Sequence, residues 1–150
     1  MDTEGLLHSL NAHNVRYVVI GASAFPVHGY ARATLDIDLF IERTTTNARR
    51  ALAALADVGY DVSDVTETDL LTKKLLIPQY ALETDIHPFV AGATFATVWR
   101  NRVRSRLGKT PANFASLNDL IRMKRAAGRP KDREDLRVLL KLKRDASRRS

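Results

Sequence analysis

Hydrophobic and polar residues follow two periods along this chain, and together they predict helices and strands in mixed order. Apolar residues at helical spacing predict helices over residues 3–13, 44–58, 116–127 and 132–143. Apolar runs predict strands over residues 15–20, 35–41 and 80–87, with weaker candidates at 60–65 and 75–77. Between the first two strands we expect a short helix, capped by Ser23 and running towards Gly29. Residues 91–110 have no clear pattern.

This order of elements predicts an α/β (α+β) fold, in which a small mixed β-sheet carries flanking helices and a helical C-terminus. A length of 150 residues is typical of one domain. No repeat or linker interrupts the pattern, so we expect a single domain over residues 1–145 and a frayed basic tail over 146–150.

Composition excludes several classes of protein. The chain has no Cys, which rules out disulfide scaffolds, thiolate metal sites and cysteine nucleophiles. No apolar run approaches the roughly 18 residues of a membrane span. The first ten residues are acidic rather than signal-like. We therefore expect a soluble, cytoplasmic protein with no membrane partner.

The formal net charge of +7 is unevenly distributed. Residues 1–99 contain 7 Lys or Arg and 12 Asp or Glu, whereas residues 100–150 contain 17 and 5. A basic C-terminal third on an acidic body indicates a polyanionic partner, although a solvated helix surface is the simpler alternative. Within this third, alternate residues from Arg100 to Arg106 are arginines, which on a strand would form one basic face or a plain exposed edge.

Two aspartates on one predicted strand are the strongest chemical signal. Side chains alternate along a strand, so Asp36 and Asp38 share a face while Leu35, Ile37 and Leu39 occupy the other. Paired carboxylates repel each other unless a cation lies between them, and Mg²⁺ is bound by such groups together with substrate phosphates. Asp85 on a later strand is the best third ligand, with Glu83 the alternative; a solvent-facing polar edge is the simpler explanation.

The turn at Gly21, Ala22 and Ser23 precedes these aspartates by about a dozen residues. Glycine lets the backbone approach a ligand, and the N–H groups that open a helix bind phosphate. The Ser23 hydroxyl could add a further contact. Alone, this turn is a weak indication of a phosphate site, and the Asp-x-Asp that follows it makes the indication specific.

These motifs resemble those of the nucleotidyltransferase superfamily, which has the DNA polymerase β-like fold. Gly21-x-x-Ala24, His28-Gly29, Arg32, Thr34 and Asp36-x-Asp38 are similar to AbiEii/MenT-type toxins and their small relatives. Lys124, Ala127, Arg129, Lys131-Asp132 and Asp135-Leu136 are similar to a second motif of that subgroup, and the resemblance covers residues 4–143.

The resemblance implies transfer of a nucleoside monophosphate from an NTP to a hydroxyl, with Mg²⁺ or Mn²⁺ as cofactor. It implies that Asp36, Asp38 and Asp85 are the catalytic metal ligands. It places the phosphates near Gly21, Ala22, Ser23, Arg32, Thr34, Lys124, Arg129 and Asp132. It also suggests a tRNA or other RNA end as the acceptor and a cognate antitoxin; protein hydroxyls and small molecules are the alternative acceptors.

Several of these residues have alternative interpretations. Ala22 stands where the superfamily has Gly or Ser, and its methyl could crowd the phosphates. A catalytically degenerate module that binds nucleic acid or a partner protein is therefore the alternative function. Lys124 and Arg129 could simply form ion pairs with Asp132 or Asp135. His87 shares a strand face with Asp85 and is a weak metal or substrate candidate.

Overall fold

A six-stranded mixed sheet lies at the centre of the structure, a computed structural model that describes residues 2–31, 36–79 and 82–149. The predicted fold class is confirmed. The strands are β1 (Tyr17–Ile20), β2 (Asp36–Ile41), β3 (Leu75–Gln79), β4 (Leu82–His87), β5 (Val103–Leu107) and β6 (Thr110–Phe114). The helices are α1 (Thr3–Ala12), α2 (Thr45–Asp57), α3 (Glu67–Thr72), α4 (Phe95–Arg100), α5 (Leu117–Ala127) and α6 (Pro130–Arg149), with a 3₁₀ helix over Gly21–His28.

The strand order is β3-β4-β2-β1-β6-β5. β2 is antiparallel to β1 and parallel to β4, so the polar ends of β2 and β4 reach the same edge of the sheet. β3 and β5 complete the two sides as antiparallel partners of β4 and β6. The parallel pairing of β2 with β4 is what brings residues far apart in sequence into register.

The sheet separates an apolar face from a face that carries the polar site. Ile37 and Leu39 are buried on one face, where the hydroxyls of Tyr60 and Thr84 share a 2.8 Å hydrogen bond. Burial raises the pKa of Tyr60 above its usual value, which keeps that hydroxyl neutral. On the other face, Phe95 of α4 packs edge-on against Phe40 with ring centroids 5.3 Å apart. None of the helices in the described residues is long and apolar enough to cross a membrane.

Most predicted elements form, but the strand expected over residues 60–65 is wrong. That segment is a turn, in which the Asp61 carboxylate accepts from the backbone and hydroxyl of Ser63. The short helix α3 that follows was not predicted; it begins with a reciprocal capping box between Thr66 and Asp69. Ser23 is also not a helix cap, because the 3₁₀ helix already begins at Gly21.

The C-terminal half supplies the elements that the sequence left unclear. Residues 91–110 contain α4 and β5, so the arginines from 100 to 106 do not form one strand face; Arg104 and Arg106 instead lie exposed on the edge strand β5. Arg100 ends α4, and the Arg102 guanidinium lies 3.8 Å from the Trp99 ring centroid. α6 extends to Arg149, well beyond the predicted end at 143. The single domain and the fraying of residues 146–150 stay predictions.

Candidate active site

Three side chains that could ligate a metal ion meet where β2 and β4 run side by side. Asp38 pairs directly with Asp85 in the parallel register, and His87 lies two residues further along β4 on the same face. One ligand atom from each of these three residues lies within 4.8 Å of the others, and among the described residues no other group of three does so. The topology has therefore assembled two of the three predicted acids with one histidine.

The negative charges of this cluster are only partly compensated by neighbouring side chains. His87 Nε2 lies 2.9 Å from Asp38 Oδ1, and Lys74 Nζ lies 3.7 Å from Asp85 Oδ2. The other oxygen of Asp85, Oδ1, is buried and has no hydrogen-bond partner. Burial, together with the charge of Asp38, raises the pKa of Asp85 above its usual value.

A divalent cation would remove this imbalance. An unpartnered buried carboxylate oxygen beside a second carboxylate is unfavourable in the folded protein, and a shared cation satisfies both groups. Two carboxylates suit a hard oxygen-binding ion such as Mg²⁺ or Mn²⁺, and an imidazole that contacts one of them can orient it. The side chains present thus fit the cofactor that the sequence predicts.

Asp36 lies one pleat away from this cluster. It lines the same cleft as Asp38 but is exposed, and its partner across the parallel pair is Glu83. Asp36 therefore occupies the mouth of the site rather than the close group of three. Its role as a metal ligand stays a prediction.

The glycine turn packs directly against Asp38. Gly21 has φ +66°, in the left-handed region, and a Cβ built there would lie 2.8 Å from Asp38 Oδ2. Only a residue without a side chain fits both the conformation and the contact. The Ser23 hydroxyl donates a 2.8 Å hydrogen bond to the Asp36 carbonyl, which ties the turn to β2. Ala22 lines the cleft between them.

An ion-pair network on α5 and α6 forms the opposite wall. Lys124 Nζ lies 3.2 Å from Asp132 Oδ1 and 3.1 Å from Asp135 Oδ2. The Arg129 guanidinium donates to the same fully buried Asp132, with Nε 2.7 Å from Oδ2. These hydrogen bonds, that from Arg129 first, lower the pKa of Asp132 to about 2. Lys124 and Arg129 thus form the expected pairs, and both also line the cleft.

One cleft of about 440 Å³ joins the two walls, a volume within the range of small-molecule sites. Of the predicted site residues, it is lined by Gly21, Ala22, Asp36, Asp38, Asp85, Lys124, Arg129 and Asp132. Arg32 and Thr34 lie outside the described residues.

Sequence reasoning overlooked Lys74 and gave little weight to His87. The antiparallel register of β3 with β4 places Leu76 opposite Asp85, which brings the residues just before β3 beside the acidic cluster. The basic pair at 73–74, directly before a strand candidate, was the available signal for Lys74. For His87 the signal was its i+2 spacing from Asp85.

The sheet is mixed, a glycine turn packs against a strand aspartate, a second acid lies on the parallel neighbouring strand, and the opposite wall is helical and basic. Together these features define a domain of the nucleotidyltransferase class. The model of one family, described as "Nucleotidyltransferase of unknown function (DUF6036)", matches residues 2–141. The chain belongs to this family. No curated protein matches it.

Proposed function

We propose that this protein is a divalent-metal-dependent nucleotidyltransferase that moves a nucleoside monophosphate from an NTP to a hydroxyl acceptor. The observation that carries the proposal is the pairing of Asp38 with Asp85, whose Oδ1 is buried and lacks a hydrogen-bond partner. Family membership supports the reaction class.

The two walls of the cleft would have different roles in catalysis. Asp38 and Asp85 would bind Mg²⁺ or Mn²⁺, with His87 orienting Asp38 and Asp36 available at the mouth. Such an ion neutralises charge on the phosphates and on the leaving pyrophosphate. A carboxylate that holds the ion nearer the attacking hydroxyl, for which we propose Asp85, would also help to remove the proton of that hydroxyl.

Phosphate contacts would come from the turn and from the basic side chains. The backbone at Gly21 and Ala22 opens a helix beside Asp38, and N–H groups there are suited to phosphate oxygens. Lys124 and Arg129 face the same cleft from the opposite wall. We propose the same role for Ser23, Arg32 and Thr34 on the resemblance alone, with Asp132 as the residue that holds Lys124 and Arg129 in place.

A polynucleotide is the acceptor that the basic surface supports, and the resemblance to AbiEii/MenT-type toxins suggests RNA. Exposed basic side chains at helical spacing cover one face of α6, beginning next to Asp132 and Asp135 in the cleft. This basic stripe consists of Arg133, Arg137, Lys141, Arg144 and Arg148. Like charges so placed repel one another, and a phosphate backbone would relieve that repulsion.

The resemblance to AbiEii/MenT-type toxins supports a finer proposal, in which the acceptor is tRNA and a cognate antitoxin restrains the enzyme. Growth arrest on expression of the intact chain, and its loss in Asp38→Asn, would support a toxin. Normal growth with active, soluble protein would count against it.

Transfer of label from α-labelled NTPs tests the central proposal. Purified protein is incubated with Mg²⁺ or Mn²⁺, each NTP, and either total RNA or cell-extract protein. We expect labelled RNA from the native chain and from Asp64→Asn, a matched control on an exposed turn, and none from Asp38→Asn. Label on protein would identify protein, not RNA, as the acceptor. Equal labelling by Asp38→Asn would refute the mechanism.

The second candidate is a degenerate module that binds nucleic acid or a protein through the basic stripe. Ala22 favours it, because its methyl group lines the cleft where the superfamily has Gly or Ser. Such a module would bind RNA equally well with and without Mg²⁺ and would not bind NTP. Metal-dependent NTP binding therefore separates the two functions.

A further inference from the structure

The cleft has an apolar wall that the phosphate and metal chemistry does not use. Phe89, Val90 and Ala91 line it from the segment after β4, and Leu120, Met123 and Ala127 line it from α5. The acidic cluster and the basic side chains line the remainder. A nucleoside triphosphate has the same division of polarity, with a flat apolar base at one end and phosphates at the other.

Phe89 is the unusual member of this wall, because its side chain is 54% exposed. A single exposed apolar residue needs no explanation, but this one lies on the rim of a cleft lined with charges. The Arg43 guanidinium lies 6.0 Å from its ring centroid, so a planar cation accompanies the aromatic ring. Aromatic rings and guanidinium groups are the side chains on which bases stack.

Local packing places the backbone segment that follows Phe89 against α5. Val90 and Ala93 form a β-bridge that closes the segment into a tight turn. Gly92 has φ +83°, and a Cβ there would lie 2.6 Å from the Ala126 Cβ and 2.9 Å from the Arg122 carbonyl. The missing side chain lets the turn lie directly against α5, and this fixes the rim that carries Phe89.

From these observations we infer that the Phe89 wall is the nucleobase subsite, with the Phe89 ring stacked on the base of the NTP. The inference rests on the proposed function, because the phosphates must first be placed at Asp38 and Lys124. The side chains of the wall are apolar and cannot read the hydrogen-bonding edge of a base. The wall would therefore accept all four bases and favour the larger purine rings over pyrimidines.

Equilibrium binding in Mg²⁺ tests this subsite, with the four NTPs and inorganic tripolyphosphate as probes. Tripolyphosphate has the phosphates and no base. We expect Phe89→Ala to weaken ATP binding roughly 5- to 150-fold, the range for loss of one stacked base, and to leave tripolyphosphate binding unchanged. Phe89→Trp should retain or tighten ATP binding, and Phe89→Leu should fall between them.

Val62 provides the control, since it is an apolar residue of the 60–65 turn and does not line the cleft. Val62→Ala should leave both affinities unchanged. The subsite would be refuted if Phe89→Ala left ATP binding intact, or if it weakened tripolyphosphate as much as ATP. Native protein that binds tripolyphosphate as tightly as ATP would refute the subsite alone, whereas binding of neither would refute the proposed function as well.

Discussion

Gly21→Ala tests whether the glycine turn holds Asp38 in the position that we propose for metal binding. The substitution has two separate effects in this structure. First, φ at residue 21 is +66°, where any residue with a Cβ is strained by roughly 1–2 kcal/mol. Second, the new Cβ would lie 2.8 Å from Asp38 Oδ2, closer than the 3.4 Å at which ordinary contact begins.

The two effects should appear in different measurements. A carboxylate can retreat by rotation, so the steric contact adds little to the free energy of unfolding. A shift of about 0.6 Å, however, would move Asp38 relative to both His87 and Asp85. Displacing a ligand or its support lowers metal affinity by about 10- to 100-fold.

Gly128→Ala is the control that separates them. Gly128 has nearly the same φ, +67°, and nothing within 4 Å of a Cβ built there. Both variants should therefore lose roughly 1–2 kcal/mol in urea unfolding, from backbone strain alone.

Mn²⁺ titration of folded protein then completes the test. We expect Gly21→Ala to bind Mn²⁺ about 10- to 100-fold more weakly than the native chain, and Gly128→Ala to bind it normally. Equal Mn²⁺ affinities in the two variants would show that the turn does not position Asp38, and the steric argument would then be abandoned.

Three further predictions concern charge. Burial and a neighbouring carboxylate raise the folded pKa of Asp85, so ionisation of this group opposes folding. Asp85→Asn should therefore unfold at a higher urea concentration than the native chain at pH 7 without metal, and this difference should disappear below about pH 4; equal urea midpoints at pH 7 would contradict it. Asp132 has a folded pKa lowered to about 2, chiefly by Arg129, so Asp132→Asn should lose about 2 kcal/mol of unfolding free energy at pH 7, and the loss should shrink as the pH falls from about 4 to 2. Charge reversal of Arg137 and Lys141 should weaken RNA binding and flatten its salt dependence in filter-binding assays while leaving the NTP affinity unchanged; an unaltered salt slope would exclude α6 from the RNA surface.

The parts of the fold that local sequence determines were the parts that could be predicted. The apolar runs at 15–20 and 35–41 predicted strands, and β1 and β2 form within them, while the caps at Thr44 and Ser116 begin two helices. The segment at 60–65 has strand-like residues, but a side-chain hydrogen bond from Ser63 to Asp61 favours a turn. Such local competition is not visible in a hydrophobic pattern.

The same distinction, between what local sequence determines and what depends on strand pairing, applies to the candidate site. Alternation on β2 was enough to place Asp36 and Asp38 on one face, and the motif spacing pointed to the glycine turn. Lys74 could not be placed, because its position depends on β3 pairing antiparallel with β4, a contact between strands that no local pattern specifies. The positive φ of Gly21 and its contact with Asp38 likewise appear only once β1 and β2 are paired.

The energetic cost of the acidic cluster is the strongest physical reason to prefer an enzyme over a degenerate module. A protein that used only the basic stripe of α6 would gain nothing from a buried carboxylate oxygen without a partner, and its metal-free fold would be more stable with Asn at position 85. The cluster instead lines the cleft, facing the wall that carries Lys124 and Arg129, next to the start of the stripe. An unfavourable group in that position is expected where a cation and a phosphorylated ligand complete the site. Equal stabilisation of the native chain and of Asp85→Asn by Mn²⁺ would mean that the cluster does not hold a cation, and the degenerate module would then be the better description.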